Sequence, residues 1–213
     1  MSELVRYHTP LRLPERWLCL ELCNRTVDWH ASEQPTERLH GYRDLLAWGL
    51  EVGLLSGRLQ ARLLELAAAH TAKARQALSR LRELREVCYR IFAAAARHRA
   101  PAAADIAGLN RFLARALSSA AVSATRAGFV WAWQRQPDLD WALWPVARSA
   151  ADLLTSDELT RVGQCADDRG CGWLFVDSAR GAPRRWCSMK ACGNRAKQRR
   201  HISREKLAQV ARP

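Results

Sequence analysis

The chain has 213 residues, 48% of them hydrophobic, and 34 Lys and Arg against 21 Asp and Glu give a formal charge of +13. This much apolar residue excludes a disordered tail, and no run approaches the roughly 18 apolar residues of a membrane span. The charge is concentrated: from Cys165 onward 12 Lys and Arg face 4 acids, whereas the first 164 residues carry 22 against 17. A dense basic segment points to a polyanionic partner, nucleic acid or an anionic surface.

The opening MSELVRYHTPLRLPERW lacks the apolar stretch of a signal peptide. The expectation is a cytoplasmic protein, where clustered thiols bind metal more readily than they pair. Residues 16–24, RWLCLELCN, are short, apolar and flanked by polar residues, which reads as a strand. A helix is expected through QPTERLHGYRDLLAWGLEVGLLSG, ending at Gly57, with Leu45, Trp48, Val52 and Leu55 on one face. Ser56 is the N-cap of the next helix.

From Arg58 to Arg99, steps of three or four link Leu59, Leu63, Leu66, His70, Ala74, Ala77, Leu81, Leu84, Cys88 and Ile91. The face weakens at His70, so two helices are expected, the second capped by Thr71. After Pro101 a further helix carries Ile106, Leu109, Leu113 and Leu117 toward the core. Phe129, Trp131 and Trp133 alternate as in a strand, and Pro137-Asp138 marks a turn. A helix then runs through Val146–Leu154. TSDE at 155–158 has the form of a capping box opening a short helix that ends at Gly163. Five or six helices with two or three short strands predict a mainly α fold with a small β-sheet (α+β). The helical domain spans 1–160 and a small C-terminal module 161–213. Neither a Gly-rich phosphate loop nor an internal repeat is present.

Four of the seven cysteines fall in that module: Cys165, Cys171, Cys187 and Cys192, spaced C-x5-C, fifteen residues, C-x4-C. Two close pairs joined by a connector is how a chain delivers four soft ligands to a tetrahedral Zn2+. A redox pair is the alternative, and His201 is a substitute ligand. GWLFVDSARGAPRRW reads as strand, turn at Gly181 and Pro183, and strand, a hairpin that Trp173 and Trp186 pack across. The helix after Cys192 puts Arg195 and Arg199 on one face. About 50 residues bury too little apolar surface to fold unaided, and a metal supplies the missing stability. Such a module would hold Arg184, Arg185, Lys190, Arg195, Lys197, Arg199 and Arg200 ready for phosphates or guanine edges.

WCSMKACGNRAKQRR at 186–200 resembles the signature of the CGNR zinc finger. CADDRGCGWLFVD, LCLELCNRTVDW and ERLHGYRDLLAWGLEVGLL are similar to the bacterial family that carries this finger after an ABATE domain. The resemblance implies Cys165, Cys171, Cys187 and Cys192 as zinc ligands, with Gly193, Asn194 and Arg195 completing the motif. It also implies a stress-induced transcriptional regulator, with DNA binding inferred from the finger's charge.

The remaining features have bland readings. Cys19, Cys23 and Cys88 are expected as buried, inert thiols rather than a second metal site. Trp131, Trp133, Trp141 and Trp144 are expected in the core, the alternative being a pocket for a small effector. Asp167, Asp168 and Asp177 read as solvated surface acids, and His30 and His40 lack metal-ligand spacing. No nucleophile, base and acid combine into a catalytic motif, so no enzyme is expected. The expected function is a zinc-dependent regulator binding double-stranded DNA through its C-terminal helix. A homodimer and a small-molecule effector of the helical domain are its further partners. The alternatives are a module for an acidic protein partner and an RNA-binding protein.

Overall fold

The computed structural model describes residues 5–7, 12–13, 16–28, 36–126, 128–133, 138–167, 171–178 and 183–210. Three short strands, β1 (Val5–Tyr7), β2 (Arg12–Leu13) and β3 (Arg16–Trp17), lead into helix α1 (Leu18–Arg25). The two-residue strands β4 (Val27–Asp28) and β5 (Thr36–Glu37) pair antiparallel ahead of α2 (Tyr42–Glu51). Helices α3 (Gly57–Ala69), α4 (Thr71–Ala95) and α5 (Ala103–Ser118) follow. The hairpin β6 (Ala120–Thr125) and β7 (Gly128–Trp133) joins β1 in an antiparallel sheet of order β1-β7-β6. Helix α6 (Leu143–Leu154) and a 3-10 turn (Asp157–Arg161) lead to β8 (Val162–Gln164) and β9 (Leu174–Val176). A π-turn (Met189–Gly193) and α7 (Asn194–Val210) end the described chain. The fold is mainly helical with small sheets, as composition and periodicity predict. Among the described residues no helix is long and apolar enough to cross a membrane.

Residues 16–24 depart from expectation. Only Arg16 and Trp17 are extended, and Leu18–Arg25 is the central helix of the core, packed on α4 and α6. Every residue from Leu18 to Asn24 is buried. The helix has a polar side, with Glu21, Asn24 and Arg25 at i, i+3 and i+4 and Arg25 paired to Glu21, but a run of nine residues ending at Asn24 spans too few turns for that period to separate helix from strand. Cys19 and Cys23 therefore sit one helical turn apart, both fully buried.

The predicted face of α2 is buried, but the helix is shorter at both ends. Thr36 and Glu37 lie in β5, and Gly53, at φ +73°, turns the chain out before Gly57. Ser56 caps α3 as predicted, its hydroxyl accepting the Leu59 N–H at 3.2 Å. The break at His70 is present (φ −132°, ψ 56°), but His70 is itself the cap position and Thr71 is the first helical residue. On α4 the predicted residues Ala74, Ala77, Leu81, Leu84, Cys88 and Ile91 are all buried. The inner face of α5 is Gly108, Leu109, Phe112 and Ala116, and Leu117 is exposed. A Cβ on Gly108 would meet Val87 of α4 at 3.3 Å, so the smallest residue, not the leucine row, marks where the helices touch.

Phe129, Trp131 and Trp133 lie on β7 as expected. Trp141 and Trp144 are buried in the core, while Arg148 of α6 stacks its guanidinium 4.9 Å from the Trp131 ring. Phe129, by contrast, is exposed at the far end of the hairpin. The capping box expected at 155–158 is absent. The Thr155 and Ser156 hydroxyls donate back to Ala151 and Leu153, and the turn stops at Arg161 before β8. Pro137, Gly181, Asp168 and His30 lie outside the described residues.

The strands β8 and β9 belong to two structures at once. Val162 and Leu174 are buried in the main core against α1 and α4, although they open the cysteine-rich segment. Asn24 of α1, itself buried, takes both backbone groups of Leu174. The Tyr89 hydroxyl of α4 donates to the Gly172 carbonyl at 3.1 Å and accepts from Gln164 Nε2 at 2.9 Å. The C-terminal segment is thus fastened by hydrogen bonds and apolar burial to two helices of the N-terminal domain.

Candidate metal centre and basic helix

The antiparallel pair β8–β9 brackets the Cys165–Cys171 loop, and Cys165 N–H donates to the Trp173 carbonyl at 2.8 Å to extend the ladder. The turn of the hairpin expected between 173 and 186 lies outside the described residues; β9 pairs with 162–164, and the described residues 183–186 form no strand. The return segment does meet the loop: Ala166 N–H donates to Arg185 O at 2.9 Å, and Arg184 N–H to Asp177 Oδ2 at 2.8 Å. That brings Cys187 beside Cys165 and Cys171. Ser188 then caps the π-turn, accepting from Ala191 N–H at 3.2 Å, and the turn carries Cys192 inward. Such π-turns are rare and concentrate at functional sites.

The four thiols converge, all Sγ atoms within 4.8 Å of one another. Cys171 and Cys192 each lie 3.6 Å from Cys187. A disulfide needs sulfurs about 2.05 Å apart, so these are free thiols. Four sulfurs at about 2.3 Å from one Zn2+ would sit about 3.8 Å apart, close to what is observed. Trp173, Phe175 and Trp186 wrap the cluster. Donor type, number and spacing all fit a structural zinc ion held by Cys165, Cys171, Cys187 and Cys192, and His201 is exposed and outside the group. When bound, zinc supplies the cross-link that ties the β8–β9 loop to the π-turn.

Local interactions favour one thiolate, at Cys165. The Cys171 and Cys187 thiols, together with the backbone N–H groups of Cys187 and Asp167, hold Cys165 far below the ordinary thiol range. Hydrogen bonding to Cys165 pushes Cys171 up, and pushes Cys187 up to about 12. Burial raises Cys192. Hydrogen bonding to Cys165 and burial thus keep the other three thiols protonated, and a divalent cation would reverse that balance.

The CGNR residues each have a local task. Cys192 supplies sulfur. Gly193 is buried under the Met189 side chain, where a Cβ would lie 2.7 Å from Sδ and make that exposed side chain move aside. Asn194 Nδ2 donates to the Lys190 carbonyl at 3.2 Å. Arg195 Nη2 donates to Cys192 Sγ at 3.0 Å and to Asp167 Oδ2 at 2.9 Å.

Asp167 corrects the sequence reading. It is buried, not a solvated acid, and its second oxygen accepts from Arg199 Nη2 at 2.6 Å. Arg195 and Arg199 do share a face, as their spacing predicts, but that face is turned to Asp167. Of the other predicted basic residues, Arg184 stacks over Phe175 at 4.2 Å, and Arg185 lies over Trp186 at 5.2 Å. Lys190, Lys197 and Arg200 are exposed. Sequence reasoning missed the role of Asp167 and the membership of Arg204 in the exposed set. The available signal was one acid beside a ligand cysteine in a segment dense in arginine.

Cys19, Cys23 and Cys88 form no metal group among the described residues. Burial pushes Cys19 up to about 12 and raises Cys23 and Cys88, as inert thiols require.

Comparison with known proteins matches the same two units. The ABATE family model, described as "Putative stress-induced transcription regulator", covers residues 17–157, and that of the CGNR zinc finger covers 161–205. No curated protein matches the chain.

Proposed function

Because the chain belongs to the ABATE family and closes in a CGNR zinc finger, we propose that it is a regulator whose finger binds double-stranded DNA. The observation that carries this reading is how α7 divides its cations. At 100° per residue, Arg195 and Arg199 fall within about 40° of each other, and Lys197, Arg200 and Arg204 lie on the opposite side. The first pair is spent on Asp167. The second group is exposed, and among the described residues it forms no ion pair. Three cations presented along one side of a helix fixed to a metal centre suit a phosphate backbone, and the fork of Arg200 or Arg204 suits a guanine edge.

Zinc's part is architectural. Four thiolates leave no open coordination position, so the site offers no place for metal-assisted catalysis. One finger covers few bases, so the proposal includes a homodimer placing two fingers on one site. The helical domain, fastened to β8 and β9 through Asn24 and Tyr89, is then the seat for an effector. RNA is disfavoured because Trp173 and Trp186 pack on the cysteine cluster instead of standing free to stack on bases.

The test is selection of bound fragments from a random double-stranded DNA pool by the zinc-loaded full-length protein, at about physiological salt where non-specific contacts weaken. The expected result is an enriched motif, palindromic if the protein binds as a dimer. Recovery without enrichment reduces the proposal to a non-specific DNA contact. Failure to recover any DNA overturns it in favour of an acidic protein partner.

A further inference from the structure

Residues 194–204 of α7 are exposed or half-buried, so no apolar face presses this part of the helix onto the finger. Its docking is carried by charge. Asp167 lies two residues beyond Cys165, its side chain only 1% exposed, and gives one oxygen to Arg195 and the other to Arg199. The same Arg195 nitrogen reaches Cys192 Sγ. One buried carboxylate thereby joins both cysteine pairs and the helix, using groups 28 and 32 residues apart. A carboxylate serving two guanidiniums directs them more strictly than a single pair, and the cationic donor on sulfur offsets thiolate charge.

We infer that Asp167 is the positioning residue of the finger. It sets the direction of α7 relative to the metal centre and orients Arg195 onto Cys192 Sγ. Asp167 is not itself a metal ligand, so zinc retention and helix placement can be separated by substitution. The consequence for DNA rests on the function proposed above; the positional claim does not.

The experiment uses full-length Asp167→Asn, which keeps shape and removes charge. Zinc is counted with a chromophoric chelator, backbone placement is followed by amide hydrogen exchange over 195–204, and cobalt-loaded protein reports the thiolate-to-metal band. The expected result is one metal per chain, exchange over α7 faster by roughly tenfold or more, and a shifted band, because Cys192 Sγ loses its cationic donor. Asp167→Glu should restore part of both changes. Unaltered exchange and an unaltered band in metal-loaded Asp167→Asn overturn the inference. Should that variant not hold metal, Arg195→Gln with Arg199→Gln removes the same pairs from the exposed helix. Faster exchange there supports the inference and wild-type exchange sinks it, while the band is not read because this variant lacks the Arg195 donor to Cys192 Sγ. Failure of the wild type to bind DNA counts against the proposed function, and leaves exchange and the cobalt band to decide the role of Asp167.

Discussion

Asn24 on α1 grips the backbone of Leu174 on β9 with both ends of its amide: Nδ2 donates to the carbonyl at 2.8 Å, and Oδ1 accepts the N–H at 2.9 Å. The pair lies 150 residues apart in sequence and is buried. It occupies the place where an N-terminal helical domain meets a zinc finger, and it makes that boundary a seam of the core.

The first prediction concerns Asn24→Ala. Truncation strands a buried N–H and a buried C=O at Leu174, each costing roughly 1–3 kcal/mol, less whatever a penetrating water recovers. The expected loss is about 2–4 kcal/mol in denaturant unfolding, with a parallel rise in the rate of zinc release to a chelator. Loss of stability with unchanged zinc release would show that the seam does not reach the metal centre.

The second concerns Cys187→Ser. A finger that is an independent bead would unfold alone and leave the helical transition in place. Val162 and Leu174 instead lie in the main core, so losing the metal cross-link should lower the midpoint of the far-UV signal together with that of Trp fluorescence. Two separated transitions, the helical one at its wild-type position, would restore the bead picture.

Much of this architecture is legible in the sequence because it is local. The His70 break, the Ser56 cap and the buried face of α4 follow from spacing within two or three turns. The cysteine quartet is legible because metal chemistry restricts ligand type and pairing. Three features are hidden by physical causes. The α1 helix is only eight residues long, too short for its Glu21, Asn24 and Arg25 face to stand out as a period. The partner of β9 is a strand on the far side of a cysteine loop, a non-local choice that alternation cannot encode. Asp167 is buried and paired with two arginines from 28 and 32 residues downstream, and a lone acid in a basic segment looks the same whether it is paired or solvated.

The third prediction follows from the buried thiols. Cys19 holds its proton up to about 12 when folded, against an ordinary value of 9.0, and Cys23 and Cys88 are raised as well. The unfolded chain therefore releases these protons first as pH rises. The thiols' contribution is complete below about pH 9 and is lost above it, at about 1.4 kcal/mol per pH unit for each thiol. Stability measured at increasing pH should fall more gently in Cys19→Ala than in the wild type. Equal slopes would mean that Cys19 ionises in the native state.

A fourth prediction uses Gly163, which faces Phe175 across the β8–β9 ladder. The ring covers the glycine so closely that a Cβ would lie 2.8 Å from Cε2 and Cζ, and Arg184 stacks on the same ring at 4.2 Å. Gly163→Ala must push the ring off the cysteine cluster, costing roughly 1–3 kcal/mol as overpacking does. Faster zinc release and a mobile Phe175 ring in NMR spectra are expected. A variant as stable as wild type would show that the ring has room to shift.

The last prediction separates the two sides of α7. If Lys197, Arg200 and Arg204 each meet a phosphate, each alanine substitution reduces the log–log salt slope of DNA binding by about 0.9 and weakens affinity most at low salt. These residues are exposed and make no ion pair among the described residues, so zinc content and unfolding midpoint should hold. Arg195→Ala and Arg199→Ala act differently, since each empties one side of the buried Asp167 carboxylate. They should loosen the helix and weaken binding while changing the slope less, because the phosphate-facing charges remain. Titration of a DNA duplex at several salt concentrations distinguishes the two sets. If Arg195→Ala and Arg199→Ala flatten the slope and the other three do not, DNA approaches from the Asp167 side, and the assignment of faces on α7 is reversed.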